Sequence, residues 1–350
     1  METVEVKVQP SYQVKIEKGL LAQVGKEIAA KFPKARITVV TDDTVWGLWG
    51  TALEASLQAA DRSFEVFSFT PGEGSKTLAT VEGILTKLAQ AQMTRSDILL
   101  AFGGGIVGDI TGFSASIWLR GISFVQIPTT LLAAVDSSVG GKTGVNLLGI
   151  KNQVGSFHQP ALVLCDPEVF STLPPRTYAD GMAEVIKYGV IYDRAFLESL
   201  MGEEEICHLV RRCVQMKADV VAEDERDLGA RQLLNLGHTA AHAIEKRSGG
   251  SISHGHAVAM GMVLVTKAAL RIGFCQEDLL PLLTSLLERY GLPTECPYAP
   301  EDLAPLMGND KKRSGDRIHL ILPKAAGDCR RYEVKQEDVL SLFREQEGDA

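Results

Sequence analysis

The feature that most constrains the fold is a change of hydrophobic period near residue 175. Before it, short runs of β-branched and aromatic residues alternate with helical patterns, and the clearest runs are ITVV (37 to 40), FEVFSF (64 to 69), ILLAF (98 to 102) and FVQI (124 to 127). Such alternation is typical of a parallel sheet covered by helices. After it, apolar residues recur with the helical period of about 3.6 residues.

We therefore predict an α/β domain over residues 1 to 174 and a mainly α-helical domain over residues 175 to 350. The boundary is placed at STLPP (171 to 175), because proline cannot continue a helix and disfavours helical geometry in the residue before it. The opening segments VEVKV and YQVKI predict a hairpin that joins the sheet. RIHLILP (317 to 323) predicts a late strand.

Charge and hydropathy limit the classes of partner. The net charge is -8, whereas a face that binds nucleic acid is basic. No stretch approaches the roughly 18 consecutive apolar residues of a membrane-spanning helix, and METVEVKVQP lacks the apolar core of a secretion signal. We predict a cytoplasmic protein that binds neither nucleic acid nor membrane, and whose anionic ligands are held by local clusters of basic side chains.

A glycine-rich turn follows the strand ILLAF and reads GGGIVGDITGF (103 to 113). Successive glycines let the backbone approach a ligand, and the free amides at the start of a helix favour a phosphate or pyrophosphate group. The spacing departs from the Rossmann G-x-G-x-x-G fingerprint. The turn therefore indicates either a nucleotide site or only a tight connection between strand and helix.

The next segment, residues 126 to 160, is interpreted as a polar, glycine-rich loop. Its lysines suit phosphate or carboxylate groups, because each supplies charge-assisted hydrogen bonds. The alternative is a solvated surface loop. The polar residues concerned are Thr129, Thr130, Asp136, Ser137, Ser138, Lys142, Thr143, Asn146, Lys151 and Asn152.

Four of the chain's seven histidines fall between residues 238 and 256. His238 and His242 stand one helical turn apart, and His254 and His256 follow. A carboxylate from Glu184 with two imidazoles would form a catalytic zinc site with one open position. Spacing leaves open which histidines take part, and also whether they are only surface or core residues. The basic residues in this half, among them Lys217, Arg231 and the DKK at 310 to 312, are otherwise explained as solvated charges.

Together these segments resemble the 3-dehydroquinate synthase family, from about residue 37 to 325. The resemblance is carried by GGGIVGD, GF-x6-RG, PTTLLA-x-VDSSVGGKTGVN, GIKN, AEVIKYG, R-x-LLN-x-GHT-x2-HAIE, HG-x-AV-x-MGM and DKK. It implies an NAD-binding α/β domain, a helical domain that binds metal and substrate, and an active site in the cleft between them. It also implies NAD and Zn²⁺ or Co²⁺ as cofactors, and a homodimer.

The resemblance assigns roles to individual positions. The implied metal ligands are Glu184, His238 and His254, which leaves His242 on the substrate side. The positions that match NAD contacts are Asp42, Glu73, Lys76, Gly104, Gly105, Asp109, Thr129, Thr130, Lys142, Lys151, Phe170 and Thr172. Those that match contacts to the substrate carboxylate are Lys217 and Arg231. Those around its phosphate are Lys142, Asn152, Asn235, Lys311 and Arg120, the last supplied across the dimer interface, and the pocket is completed by Asp136, Lys187 and His242.

The implied reaction is the conversion of 3-deoxy-D-arabino-heptulosonate 7-phosphate to 3-dehydroquinate in the shikimate pathway. It proceeds by transient oxidation with NAD, phosphate elimination, reduction, ring opening and intramolecular aldol closure. The alternatives are sister cyclases whose sugar phosphates lack a carboxylate, an enzyme for an amino analogue, a glycerol-dehydrogenase-like alcohol dehydrogenase, and a non-catalytic NAD-binding regulator. Two positions depart from the motifs: His256 stands where the family commonly has glutamate, and Ala241 where it has glycine.

Overall fold

A computed structural model describes residues 1 to 307 and 317 to 344, and it separates the chain into two units. The first comprises Met1–Pro174 and Glu205–Arg226, and the second comprises Pro175–Glu204 and Asp227–Ala350. The division made from the sequence placed residues 205 to 226 with the helical domain. In the structure this segment packs with the first unit.

The first unit is built on a seven-stranded sheet in the order β1-β2-β9-β6-β5-β3-β4. Its strands are β1 (Glu2–Val6), β2 (Tyr12–Ile16), β3 (Ile37–Asp42), β4 (Phe64–Phe69), β5 (Ile98–Gly103), β6 (Ser123–Pro128) and β9 (Leu162–Cys165). The predicted hairpin is present, because β1 pairs antiparallel with β2, and the other pairings are parallel. Strands β3, β5 and β9 are almost wholly buried, as expected where helices cover both faces of a parallel sheet.

The helices of this unit are α1 (Val24–Lys31), α2 (Asp43–Ala59), α3 (Leu78–Gln90), α4 (Gly105–Ile117) and α7 (Ile206–Glu223). The starts of α2 and α3 are set by side-chain caps. Asp42 accepts hydrogen bonds from the backbone N–H groups of Thr44 and Val45, and Thr77 accepts one from Thr80. The predicted α/β domain is confirmed.

The interpretation of residues 126 to 160 as a loop was wrong in part. Lys142–Leu147 (β7) and Ile150–Phe157 (β8) form a separate antiparallel hairpin. Gly144 and Gly155 face each other in this pair, and a Cβ at Gly155 would lie 2.0 Å from the backbone oxygen of Thr143. These glycines therefore allow two strands to approach closely, whereas their frequency in the sequence suggested an irregular loop.

Helix α7 belongs to the first unit because of what its apolar face contacts. Its buried residues include Leu209, Val210 and Val214, and the helix packs against β1 and β2. The guanidinium of Arg211 on α7 lies 3.5 Å from the carboxylate of Glu2 on β1. Amphipathic periodicity predicted the helix correctly but does not say which partner covers its apolar face.

The second unit is mainly helical, as predicted. Its helices are α5 (Pro175–Tyr192), α6 (Arg194–Ser199), α8 (His238–Arg247), α9 (His254–Arg271), α10 (Leu280–Arg289), α11 (Pro300–Met307) and α12 (Val339–Phe343). The predicted late strand is β10 (Arg317–Ala325), which pairs antiparallel with β11 (Asp328–Lys335). Helix α9 packs against both α5 and α8. Across residues 1 to 307 and 317 to 344, no helix combines the length and apolar character needed to cross a bilayer.

Asp97 ties the starts of β3 and β5 together. Its carboxylate accepts hydrogen bonds from the backbone N–H and the guanidinium of Arg36, and from the backbone N–H and hydroxyl of Thr94. Burial raises the pKa of Asp97, but these hydrogen bonds outweigh it and lower the pKa to about 2. The ionised form is therefore favoured by folding, and its contribution is present above the unfolded pKa of about 4 and lost as the pH falls towards 2.

We expect Asp97→Asn to reduce the free energy of unfolding by about 2 kcal/mol at neutral pH, because charge-assisted hydrogen bonds are lost. The difference between wild type and variant should shrink as the pH falls from 5 to 3. Urea unfolding followed by circular dichroism over this range measures both effects, with Asp219→Asn on the exposed face of α7 as the control. A difference that stays constant with pH would contradict the assignment.

Candidate active site

Three side chains from three helices of the second unit converge on one point. Glu184 lies within α5, while His238 and His254 are the first residues of α8 and α9. One potential ligand atom from each lies within 4.8 Å of the others. His254 Nε2 is 3.3 Å and His238 Nε2 is 3.7 Å from Glu184 Oε1. The structure thus brings together the three residues that the sequence suggested as metal ligands.

The second nitrogen of each imidazole has its own acceptor. His238 Nδ1 lies 3.0 Å from the carbonyl oxygen of Leu236, and His254 Nδ1 lies 3.5 Å from Glu245 Oε1. Acceptors at Nδ1 hold a proton there, which leaves Nε2, the nitrogen that faces Glu184, as the atom of each imidazole that could bind a metal ion. Sequence reasoning did not identify Glu245. Its position two helical turns after His238 on the same helix was the available signal.

The charges in this cluster favour a cation. Burial lowers the pKa of His238 to about 3, and Lys187 lowers it further, which keeps this imidazole neutral. Burial also lowers the pKa of His254, but Glu184 and Glu245 outweigh that effect and raise it to about 10. Two carboxylates thus attract positive charge to the position between the imidazoles, and a carboxylate with two imidazoles is a donor set suited to Zn²⁺ or Co²⁺.

Lys187 and His242 lie beside this cluster without belonging to it. Lys187, buried one turn after Glu184 on α5, forms an ion pair with the Glu184 carboxylate. His242 packs edge-to-face against His238, with 5.8 Å between ring centroids, and its side chain is exposed. Spacing left open whether His242 or His254 completes the triad, and the geometry favours His254.

In the first unit, the glycine-rich turn joins β5 to α4. Gly104 is the residue before the helix and provides no side-chain cap, so the first amides of α4 are left for another acceptor. A Cβ at Gly104 would lie 3.1 Å from Thr130, and one at Gly105 would lie 2.9 Å from Ser137. A larger residue at either position would force the Thr130 or Ser137 side chain to shift, and the helix N-terminus fits a pyrophosphate.

Several residues assigned to NAD and phosphate form one hydrogen-bond network around the buried Lys76. Its ammonium donates to Asp109 Oδ2 at 2.5 Å and to Asn152 Oδ1 at 2.6 Å. Burial raises the pKa of Asp109 despite the neighbouring Lys76. Asn146 connects the network to Glu73 at 2.7 Å and to the backbone N–H of Asn152 at 2.9 Å.

Lys217 and Asp136 form a second pair in the same unit. The ammonium of Lys217, which is 6% exposed, donates to both Oδ1 and the backbone oxygen of Asp136 at 2.5 Å. Lys217 lies on α7, whereas Asp136 lies on a short π-helical turn, Ala133–Ser137. Two segments that are distant in sequence thus bring these predicted substrate contacts together.

The other predicted residues are placed as follows. In the first unit, Thr129 and Phe170 are buried, and the hydroxyl of Thr172 accepts a hydrogen bond from the indole of Trp49. Lys142, Lys151 and Arg120 are exposed, and Arg120 has φ 69°. In the second unit, Arg231 is 2% exposed and Asn235 donates to the carbonyl of Gln232. Lys311 lies outside the described residues.

Comparisons with known proteins match most of the chain. Two protein-family models match this sequence. The one described as 3-dehydroquinate synthase N-terminal matches residues 66–180, and the one described as 3-dehydroquinate synthase C-terminal matches residues 181–313. The curated 3-dehydroquinate synthase of Clostridium kluyveri is 40% identical over 353 residues, with 98% of each chain covered.

Two solved cyclases have similar structures. One is 2-deoxy-scyllo-inosose synthase complexed with carbaglucose-6-phosphate, NAD+ and Co²⁺, with a TM-score of 0.88, 25% identity, and 98% of this chain and 99% of that chain covered. The other is 2-epi-5-epi-valiolone synthase from Streptomyces hygroscopicus subsp. jinggangensis with NAD+ and Zn²⁺ bound, with a TM-score of 0.87, 28% identity and 95% of each chain covered.

Removing the charge of Glu245 should weaken metal binding. We expect Glu245→Gln to raise the dissociation constant for Zn²⁺ at least tenfold, because the acceptor that orients His254 loses its charge. Competition with a chromogenic chelator measures this constant. Glu198→Gln, an exposed carboxylate on α6 in the same unit, is the matched control. Equal affinities for the two variants would show that Glu245 does not orient a metal ligand.

Proposed function

The chain belongs to the 3-dehydroquinate synthase family, and on this premise we propose that it converts 3-deoxy-D-arabino-heptulosonate 7-phosphate to 3-dehydroquinate and phosphate. The observation that carries the proposal is 40% identity to a curated 3-dehydroquinate synthase over almost the whole of both chains. The inosose and valiolone synthases share the fold but are only 25% and 28% identical. The carboxylated substrate is therefore favoured over sugar phosphates that lack a carboxylate.

We propose that Glu184, His238 and His254 hold Zn²⁺ or Co²⁺, and that the turn at Gly104 and Gly105 holds the pyrophosphate of NAD. When bound, the metal ion supplies Lewis acidity towards a substrate hydroxyl, and NAD accepts and returns a hydride. Lys187 compensates the charge of Glu184 in its buried position. Neither NAD nor the metal ion would be consumed in the reaction.

The basic and amide side chains form two groups, according to the anion that each would bind. Arg231 and Lys217 would bind the substrate carboxylate through charge-assisted hydrogen bonds, and Asp136 orients the Lys217 ammonium for this contact. Lys142, Asn152 and Asn235 would bind the phosphate, together with Lys311 and with Arg120 from a second subunit. Asn152 is held by Lys76, so the phosphate contact is connected to the proposed nucleotide site.

The assay that tests the function supplies the purified protein with the heptulosonate phosphate, NAD and Zn²⁺. Phosphate and 3-dehydroquinate should form in equal amounts with no net production of NADH, and a chelator should abolish turnover. Turnover of glucose 6-phosphate alone would indicate a sister cyclase, and turnover of the amino analogue alone would indicate its synthase. Net NADH formation would indicate an alcohol dehydrogenase. Binding of NAD without turnover of any of these substrates would indicate a non-catalytic regulator.

Arg231→Met should lower kcat/KM for the carboxylated substrate about 100-fold, equivalent to roughly 3 kcal/mol, because a charge-assisted contact is lost. The matched control is Arg330→Met, on the exposed face of β11 in the same unit. Lys217→Met, at the other proposed carboxylate contact, provides a second test, and circular dichroism reports the folding of each variant because both side chains are buried. A folded Arg231 variant with unchanged kcat/KM would remove this residue from the carboxylate site.

We further propose that the protein is a cytoplasmic homodimer whose interface includes the β7–β8 hairpin. Exposed apolar residues occur on this hairpin, including Ile150, Phe157 and Leu148, the last 90% exposed. The hydroxyl of Ser156 on β8 lies 2.7 Å from that of Ser116 on α4, so the hairpin adjoins the segment that leads to Arg120. An apolar surface of this kind is typical of a protein interface.

Leu148→Asp should shift the protein from dimer to monomer, because a charge would be buried in the interface. Light scattering coupled to size-exclusion chromatography should give a mass near 37.9 kDa for the variant and twice that for the wild type. Ile272→Asp, at an exposed apolar position of the second unit, should remain dimeric. A monomeric wild type would refute the proposed assembly.

A further inference from the structure

Asp180, Ser253 and His256 form a polar cluster that none of the roles above uses. Asp180 lies on α5, one turn before Glu184, and Ser253 and His256 flank His254 at the start of α9. One oxygen of Asp180, Oδ1, accepts from Ser253 Oγ at 2.7 Å, from the His256 backbone N–H at 3.1 Å and from His256 Nδ1 at 2.8 Å. Nδ1 carries the proton in this contact, because a carboxylate oxygen faces it.

The cluster caps α9 from another helix. Ser253 occupies the N-cap position, where its hydroxyl would ordinarily accept a hydrogen bond from the N–H of His256. The hydroxyl instead donates to Asp180, and Asp180 accepts from that N–H. The negative charge of Asp180 also suits the positive end of the α9 dipole. The start of α9 is therefore fixed by a residue of α5.

Close packing fixes the same junction. A Cβ at Gly255 would lie 2.3 Å from Asp180 Cα and 2.4 Å from the Asp180 carbonyl oxygen, so only glycine fits between the helices here. The side chains of Asp180 and His256 are 15% and 17% exposed. Their contact is thus largely shielded from water, which strengthens its electrostatic component.

We propose that Asp180 and His256 are positioning residues for the metal site. Glu184 lies one turn after Asp180 on α5, and His254 lies two residues before His256 on α9. The bonds between Asp180 and His256 hold together the two turns that carry these ligands, and so set the 3.3 Å separation of His254 Nε2 and Glu184 Oε1. This inference rests on the proposed metal binding and goes beyond it, because neither residue would touch the ion.

The experiment measures metal affinity and geometry without turnover. Zn²⁺ dissociation constants are obtained by chelator competition at 25 °C, the visible absorption of bound Co²⁺ reports ligand geometry, and the unfolding midpoint of the metal-free protein reports stability. The variants are Asp180→Ala, His256→Leu and His256→Asn, whose amide can still donate near the position of Nδ1. The control is Asp193→Ala, which removes the cap of α6, a helix without proposed ligands.

Asp180→Ala and His256→Leu should each weaken Zn²⁺ binding about tenfold and alter the Co²⁺ absorption, and His256→Asn should remain within about twofold of the wild type. Asp193→Ala should lower the unfolding midpoint and leave the affinity unchanged. Wild-type affinity in Asp180→Ala or His256→Leu would overturn the proposal, as would an equal loss in the control. A wild type that binds metal but releases no phosphate would refute the proposed function and leave this test intact.

Discussion

The carboxylate of Glu184 has no exposure to solvent, and a buried negative charge must be compensated within the protein. Compensation comes from Lys187 on the same helix and from the imidazole of His254, and the neutral imidazole of His238 also lies beside the carboxylate, so α8 and α9 must begin next to α5. Glycines make these approaches possible. Gly255 lies against the backbone of Asp180, and a Cβ at Gly261 of α9 would lie 2.2 Å from the carbonyl oxygen of Gly237, the residue before His238. The charge compensation of Glu184 and the close glycine contacts therefore involve the same junctions between α5, α8 and α9.

In the first unit the buried charges are positive, and they too are compensated by side chains of opposite charge. Lys76 and Lys217 are both buried, and each is held by a carboxylate, Asp109 in one case and Asp136 in the other. Ammonium groups held in fixed positions bind an anionic ligand with less loss of side-chain freedom than mobile surface lysines. With the proposed roles, this arrangement would let a chain whose overall charge is negative bind anionic ligands.

The sequence predicted best those elements whose pattern depends on local burial. Continuous apolar runs marked β3 and β5, and helical periodicity marked α5, α7 and α10, because these signals arise within a few residues. The β7–β8 hairpin was missed because its facing glycines are also frequent in loops. At the site, spacing detected the histidine cluster but could not choose among its members, and the family resemblance made that choice. Glu245 and Asp180 escaped notice because hydrogen bonds to a ligand-bearing segment follow from tertiary contacts.

The two-segment composition of the first unit bears on how the chain can fold during synthesis. The polypeptide passes from one unit to the other at residues 174, 204 and 226, so the sheet emerges from the ribosome well before the helix that covers β1 and β2. Until residue 226 has left the exit tunnel, strands β1 and β2 lack the apolar face of α7 that covers them. Asp136 likewise lacks its ion-pair partner Lys217. Completion of the first unit therefore waits for a segment encoded after the second has begun, and a fragment ending at residue 174 would expose this surface to aggregation.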